Sequence, residues 1–308
     1  MIESNAERAC GFVAICGAPN AGKSTLLNRM VGSKVSIVTP KVQTTRARVL
    51  AIAIEGDAQV IFVDTPGVFT AKRASERAMV DAAWRAVDDS DVVLLLVDAL
   101  RADRVKGFID VDTEILIAGL KQRGKKAVLA LNKVDRLNRE RLLPMSQRFI
   151  DAGLSDGIFM ISALNGDGVD DLKKALARAM PRGPWLYPED QLAEIPERLL
   201  AAEITREQAF LQLHQEVPYA LAVEPVSWKE MKDGSVRIEE ALIVERDSQR
   251  PIVLGKGGAR IKSIGSAARS RIEAAFGRRV HLFLEVKVEP GWTENAKRLR
   301  SLGFEVEG

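Results

Sequence analysis

The octapeptide Gly17-Ala18-Pro19-Asn20-Ala21-Gly22-Lys23-Ser24 stands between an apolar run, Gly11 to Ile15, and a stretch with helical character, Ser24 to Met30. A strand that feeds a glycine-rich loop and then a helix is a cradle for phosphate. Gly17 and Gly22 let the backbone wrap tightly, so that loop amides point at the phosphates, and the helix N-terminus adds partial positive charge. Lys23 offers a mobile cation to the β- and γ-phosphates. Ser24 offers a hydroxyl to Mg²⁺, and Thr25 follows it as part of the same binding stretch.

Further along, apolar runs of strand length recur at Val60 to Val63, Val92 to Val97, Ala127 to Leu131 and Ile158 to Ile161. Helical patterns fall between them. In Ser75 to Val87, the residues Met79, Ala82, Ala83, Ala86 and Val87 line one helical face, and Thr113 to Lys121 and Val169 to Ala179 read the same way. Strands apolar on both faces, alternating with helices, predict an α/β domain with a doubly wound, mostly parallel sheet over residues 1–180.

Three more motifs end strands of this series. Asp64-Thr65-Pro66-Gly67 follows Val63; the carboxylate can hold a water on Mg²⁺, and Gly67 frees its N–H for the γ-phosphate. Asn132-Lys133-Val134-Asp135 follows Leu131. The Asp135 carboxylate can accept from N1–H and the 2-amino group of guanine, whereas adenine would leave it unpaired. The Lys133 stem can cover the base, and Asn132 can tie this loop to the phosphate loop. Ser162-Ala163 follows Ile161, where a backbone N–H can reach guanine O6. The expected ligands are therefore GTP and GDP with Mg²⁺. Thr39 to Arg48 is polar and threonine-rich; Thr44 or Thr45 can complete the Mg²⁺ shell when GTP is bound, and Thr45, directly before Arg46, is the preferred ligand.

Composition agrees. The 308 residues are 46% apolar and 28% charged, as in soluble globular chains, and no apolar run approaches the ~18 residues of a membrane span. The N-terminus lacks a basic region ahead of an apolar one, so no secretory signal is expected. Cys10 and Cys16 read as reduced core thiols in a cytoplasmic protein, and His214 and His281 are too few for a multi-histidine metal centre. Pro181, Pro184, Pro188 and Pro196 mark 181–199 as a linker of restricted flexibility.

Residues 200–308 read differently. Glu197 to His214 looks helical, Tyr219 to Val226 and Ser235 to Val244 look like strands, a short helix lies near Ile252, and Ala259 to Phe276 is helical again. Leu282, Leu284, Val286 and Val288 then alternate with His281, Phe283, Glu285 and Lys287, the period of a strand. Between the last two helices stands Gly255-Lys256-Gly257-Gly258, with Arg260 and Lys262 just beyond. Arg246 to Arg279 holds nine basic residues against two acidic ones, although the chain as a whole is only +3. A G-x-x-G loop lets a nucleic-acid backbone approach closely, its amides and Lys256 can meet phosphates, and unstacked bases can enter the groove beside it. Gly255, Lys256, Gly257, Gly258, Arg260 and Lys262 are the expected RNA contacts.

The spacing of the nucleotide motifs resembles the translation-factor-related GTPases over about the first 180 residues. The order helix-strand-strand-helix-helix-strand with its G-x-x-G loop resembles a type II KH domain. Together with Gln43-Thr44-Thr45-Arg46, Tyr187-Pro188-Glu189-Asp190-Gln191 and Glu216-Val217-Pro218-Tyr219, the chain resembles the Era family of bacterial GTPases across nearly its whole length. That resemblance implies binding near the 3′ end of 16S ribosomal RNA, assistance to maturation of the 30S subunit, and a link with the cytoplasmic face of the membrane. In the broader class a glutamine usually follows D-x-x-G to orient water. Val68 stands there, so slow intrinsic hydrolysis by Lys23, Thr45 and Gly67 is expected, with acceleration by a partner. In similar GTPases an asparagine at the place of Asn20 helps hold K⁺ against the phosphates, which makes Asn20 a catalytic candidate. Two other readings are a tRNA-directed GTPase, which would need a second reactive centre, and a membrane signalling GTPase, for which the glycines of the loop serve no purpose. No heptad pattern asks for a dimer, so a monomer is expected.

Overall fold

The computed structural model describes residues 8–39, 49–71, 73–153, 155–214, 217–302 and 304. Thr45 and its neighbours Gln43, Thr44 and Arg46 lie outside the described residues, as does Glu216.

β1 (Ala9–Gly17) is apolar on both faces because helices cover both sides of the sheet it centres. Val13 and Ile15 enter one core, with Leu26, Leu27, Leu172 and Leu176. Ala14 and Cys16 enter the other, with Ala83, Val87, Leu116 and Phe149. The elements of this part are α1 (Lys23–Val31), β2 (Val49–Glu55), β3 (Ala58–Asp64), α2 (Ala74–Asp89), β4 (Val92–Asp98), α3 (Ala99–Asp103), α4 (Val111–Gln122), β5 (Ala127–Asn132), α5 (Leu142–Asp151), β6 (Ser155–Ile161), α6 (Val169–Arg178) and β7 (Ala193–Glu194). The strand order is β6-β5-β4-β1-β3-β2-β7. β1 pairs in parallel with β3 and β4, and β4-β5-β6 continue in parallel. β2 is antiparallel to both of its neighbours, β3 and the short edge strand β7.

The chain divides into two compact units; among the described residues one holds 8–36, 49–71 and 79–194, the other 37–39, 73–78 and 195–304. The proline-rich stretch therefore departs from the expected linker: most of it is bound to the first unit. Cys10 N donates to Pro181 O at 3.0 Å, Gly183 N to Arg8 O at 3.0 Å, and Ile52 N to Leu192 O at 2.8 Å. Gln59, fully buried on β3, donates to Tyr187 O at 2.8 Å and accepts from Leu186 N and Tyr187 N at 2.9 and 3.0 Å. Prolines lack a donor but not an acceptor, so a sheet edge and one buried amide suffice to fix the segment.

The second unit contains α7 (Glu197–Gln212), which begins inside the expected linker. It is followed by β8 (Leu221–Glu230), β9 (Val236–Val244), α8 (Arg250–Leu254), α9 (Ala259–Phe276), β10 (Val280–Val288) and α10 (Ala296–Ser301). The sheet order is β10-β9-β8, with β9 antiparallel to β8 and parallel to β10. One face of the sheet packs on α7 and α9 through Ile238, Leu242, Val244, Ile204, Ala209, Ile264, Ala268 and Ile272. α10 is fastened by Arg298, whose guanidinium reaches Glu224 at 2.6 and 2.8 Å and Glu289 at 2.6 and 2.8 Å. Among the described residues no helix is long and apolar enough to cross a membrane.

Candidate functional site

In the first unit the sequence motifs converge at the carboxyl ends of β1, β3, β5 and β6, where open parallel sheets bind ligands. Gly17 ends β1, and a Cβ there would lie 2.5 Å from Leu96 O, so β1 and β4 approach this closely only with glycine. Asn20 and Gly22 carry positive φ, 64° and 102°, which turn the loop into α1. A Cβ on Gly22 would strike the Asn132 amide. Ala18 and Ala21 are buried, Pro19 and Thr25 half-buried, and Asn20 is exposed.

Lys23 is buried, and its ammonium donates to Gly17 O at 3.0 Å and Ala18 O at 3.1 Å. Burial pushes its pKa down to about 8, with the Asp64 charge opposing. The same burial pushes Cys16 up to about 12, so that residue is an inert thiol. Asp64, fully buried at the end of β3, accepts at Oδ2 from Ser24 Oγ at 3.3 Å and from Ser36 Oγ at 2.7 Å. Asn28 of α1 holds Ser36 in place, since its Oδ1 accepts from Val35 N and Ser36 N at 2.9 Å. Thr65 donates to Ile15 O at 2.8 Å and so locks the second motif to β1. Pro66 is buried behind it, and Gly67 lies against the phosphate loop: a Cβ there would sit 3.1 Å from Pro19 N and 3.3 Å from Lys23 Nζ. Val68 is buried in the core rather than turned to the loop.

Asn132 joins three segments. Its amide donates to Ala21 O at 2.8 Å, and its carbonyl accepts from Ala163 N at 2.9 Å. Lys133, at φ 68°, donates to Asn20 O at 2.8 Å and pairs with Asp98 at 2.5 Å. That conformation swings the chain into the turn Val134–Arg136 and leaves Asp135 exposed beside the loop, with Val134 half-buried behind it. Ser162 and Ala163 are buried, and Ser162 Oγ accepts from Asn165 N at 3.2 Å. Sequence reasoning missed Ser36 and Asp98. Asp98 had a signal, as the acid that closes the apolar run of β4; Ser36 had none, because α1 brings it to Asp64 only in three dimensions.

In the second unit the G-x-x-G loop links α8 and α9 with Gly255, Gly257 and Gly258 at φ 71°, 58° and 79°. A Cβ on Gly255 would sit 2.8 Å from Arg260 N, while Gly257 and Gly258 face open space. Lys256 and Lys262 are exposed. Arg260 is otherwise engaged: its guanidinium donates to Gln212 O at the end of α7, so it braces the loop.

A family model described as 50S ribosome-binding GTPase matches residues 12–133, and one described as KH domain matches residues 216–293. GTPase Era of Afipia carboxidovorans is 53% identical over 296 residues, which cover 96% of this chain and 94% of that protein. GTPase Era of Caulobacter vibrioides is 50% identical over the full length of both chains. Among solved structures, a variant Era of Aquifex aeolicus bound to GDP·AlF4⁻ superimposes with a TM-score of 0.90 at 38% identity, covering 97% of this chain and all of that one. An Era complex with MgGDPNP and nucleotides 1506–1542 of 16S ribosomal RNA superimposes with a TM-score of 0.91 at 38% identity and the same coverage.

Proposed function

The chain belongs to the GTPase Era family, and from that premise we propose that it is a GTP-hydrolysing switch that grips the single-stranded 3′ end of 16S ribosomal RNA and assists maturation of the 30S subunit. The observation that carries the nucleotide half is the pair of hydrogen bonds that Asn132 makes, to Ala21 O and from Ala163 N, which draws the phosphate loop, the Asp135 turn and the Ser162-Ala163 loop together. Asp135 then reads the N1–H and 2-amino edge of guanine and Lys133 lies along the base; the N–H groups of Ser162 and Ala163, expected at guanine O6, donate instead to Asp167 O and Asn132 Oδ1.

The donor set fits Mg²⁺: a serine hydroxyl and a buried carboxylate lie 3.3 Å apart at the head of α1, both oxygen ligands suited to a hard cation. Ser24 and Asp64 would hold it, with Thr45 as the third protein contributor, and its chemistry is to neutralise charge on the β- and γ-phosphates. Lys23 leaves the carbonyls of Gly17 and Ala18 for those phosphates, and the Gly67 N–H meets the γ-phosphate. Val68, sealed in the core, offers no group to orient water. Hydrolysis is therefore slow until a partner supplies that function, and Asn20, exposed at the loop tip, is the ligand through which K⁺ would add charge.

For the RNA half, the similar Era complex holds a segment of 16S ribosomal RNA. The loop at Gly257 and Gly258 is open enough here for a sugar-phosphate backbone to lie against it. The protein acts in the cytoplasm, on the small subunit. Competition binding tests the nucleotide half: GDP displaces a labelled guanine nucleotide, whereas ADP does not at a hundredfold excess. Asp135→Asn loses about 100-fold or more in GDP affinity and gains affinity for xanthosine diphosphate, whose 2-oxo group accepts from an amide. Equal displacement by ADP and GDP would refute the guanine reading.

A further inference from the structure

The second unit carries a cleft of about 310 Å³ between α9 and β10, walled by Ile261, Lys262, Gly265 and Arg269 on the helix and by Leu282 to Leu284 on the strand. Gly265 keeps the two walls close, since a Cβ there would lie 3.3 Å from Leu284 Cδ1. Leu282 and Leu284 point into the helix-packed core, so the alternation of the strand sends Phe283 to the opposite face. There Phe283 is 50% exposed. The Arg237 guanidinium lies 4.5 Å from the ring centroid and backs it. Arg237 is in turn fixed by Glu239 at 2.7 and 3.0 Å. β10 is the outer strand of its sheet, so the ring stands at the rim of the cleft rather than across a barrier from it.

We infer that Phe283, backed by Arg237, is a stacking shelf for one base of single-stranded RNA, the base that follows those seated in the cleft. This rests on the RNA reading above and adds to it a residue that selects for an unpaired, planar group at one position. A base laid on the free side of the ring completes a guanidinium–aromatic–base stack, in which the positive group polarises the ring from behind. The basic residues Lys262 and Arg269 on the opposite wall are exposed and hold the phosphates of the same strand near the cleft. Stacking tolerates any base, so the shelf contributes affinity and register rather than sequence readout.

The test is fluorescence anisotropy with the full chain and a labelled RNA of nucleotides 1506–1542 of 16S ribosomal RNA. Phe283→Ala should weaken binding about tenfold, and Phe283→Trp should restore it, as loss and return of one base stack require. A scan with single abasic nucleotides should find one position at which the wild type falls to the level of Phe283→Ala and at which Phe283→Ala loses nothing more. Circular dichroism should match across the variants, because the ring is at the surface. Unchanged affinity in Phe283→Ala, or losses that add at every abasic position, would overturn the shelf. Gly257→Asp separates this from the underlying reading. If Gly257→Asp abolishes binding while Phe283→Ala does not, only the shelf is wrong; if Gly257→Asp binds as the wild type does, the RNA grip itself is wrong.

Discussion

Glu240 sits on β9 between Ile238 and Leu242, inside the core under α7 and α9, and neither carboxylate oxygen has a well-formed hydrogen bond among the described residues. Burial pushes its pKa up to about 7, with Thr205 pulling it partly back. The folded state therefore binds this proton more tightly than the unfolded chain, whose carboxyl titrates near 4.5. The resulting stability is full below about pH 4.5 and is lost as pH rises through 7. Glu240→Gln keeps the volume and removes the charge. In urea unfolding followed by circular dichroism, the variant should gain about 1–3 kcal/mol over the wild type at pH 8 and little at pH 5. An equal difference at both pH values would show that packing, not ionisation, governs the site. Nothing in the sequence marked Glu240, since an acid in an alternating strand reads as a solvent position until the helices that cover it are known. Lys23, Ser24 and Asp64 were legible for the opposite reason: phosphate and Mg²⁺ chemistry dictates both their types and their local spacing.

Secondary structure was readable where periodicity was strong. β4 is a continuous apolar run closed by acids at both ends, and α2 shows an apolar face at helical spacing; both stand where the pattern put them, apart from a few terminal residues. β2 went unread, because a strand that directly precedes β3 and pairs antiparallel with it lies outside the alternation of strand and helix. The proline-rich stretch was misjudged as a linker because its partners are far away in sequence. Gln59 satisfies three backbone groups of Leu186 and Tyr187 at once. Gln59→Ala would leave those groups buried or force the segment away, at a cost of about 2–4 kcal/mol. Limited proteolysis should then cut the variant within residues 183–192 several times faster than the wild type, at matched enzyme concentration. Equal cleavage rates would mean that the sheet-edge bonds alone hold the segment.

The two halves of the chain supply complementary chemistry, and their identity as a GTPase unit followed by a KH unit was open to sequence reasoning because each carries a glycine loop in a defined setting. Neither glycine motif would suffice alone. The phosphate loop gains meaning from strand ends that bring Asp64, Asn132 and Ser162 to one edge, and the G-x-x-G loop gains it from the concentrated positive charge around it. The switch proposed above needs a slow clock, and we assign that role to the burial of Val68 in place of a water-orienting side chain. Single-turnover hydrolysis by the full chain in KCl, with GTP or ATP and with or without the 3′-terminal 16S RNA segment, tests this most directly. The expected result is no ATP hydrolysis, slow GTP hydrolysis alone, and an RNA-dependent acceleration that Gly257→Asp abolishes; rapid hydrolysis without RNA, or equal use of ATP, would contradict it.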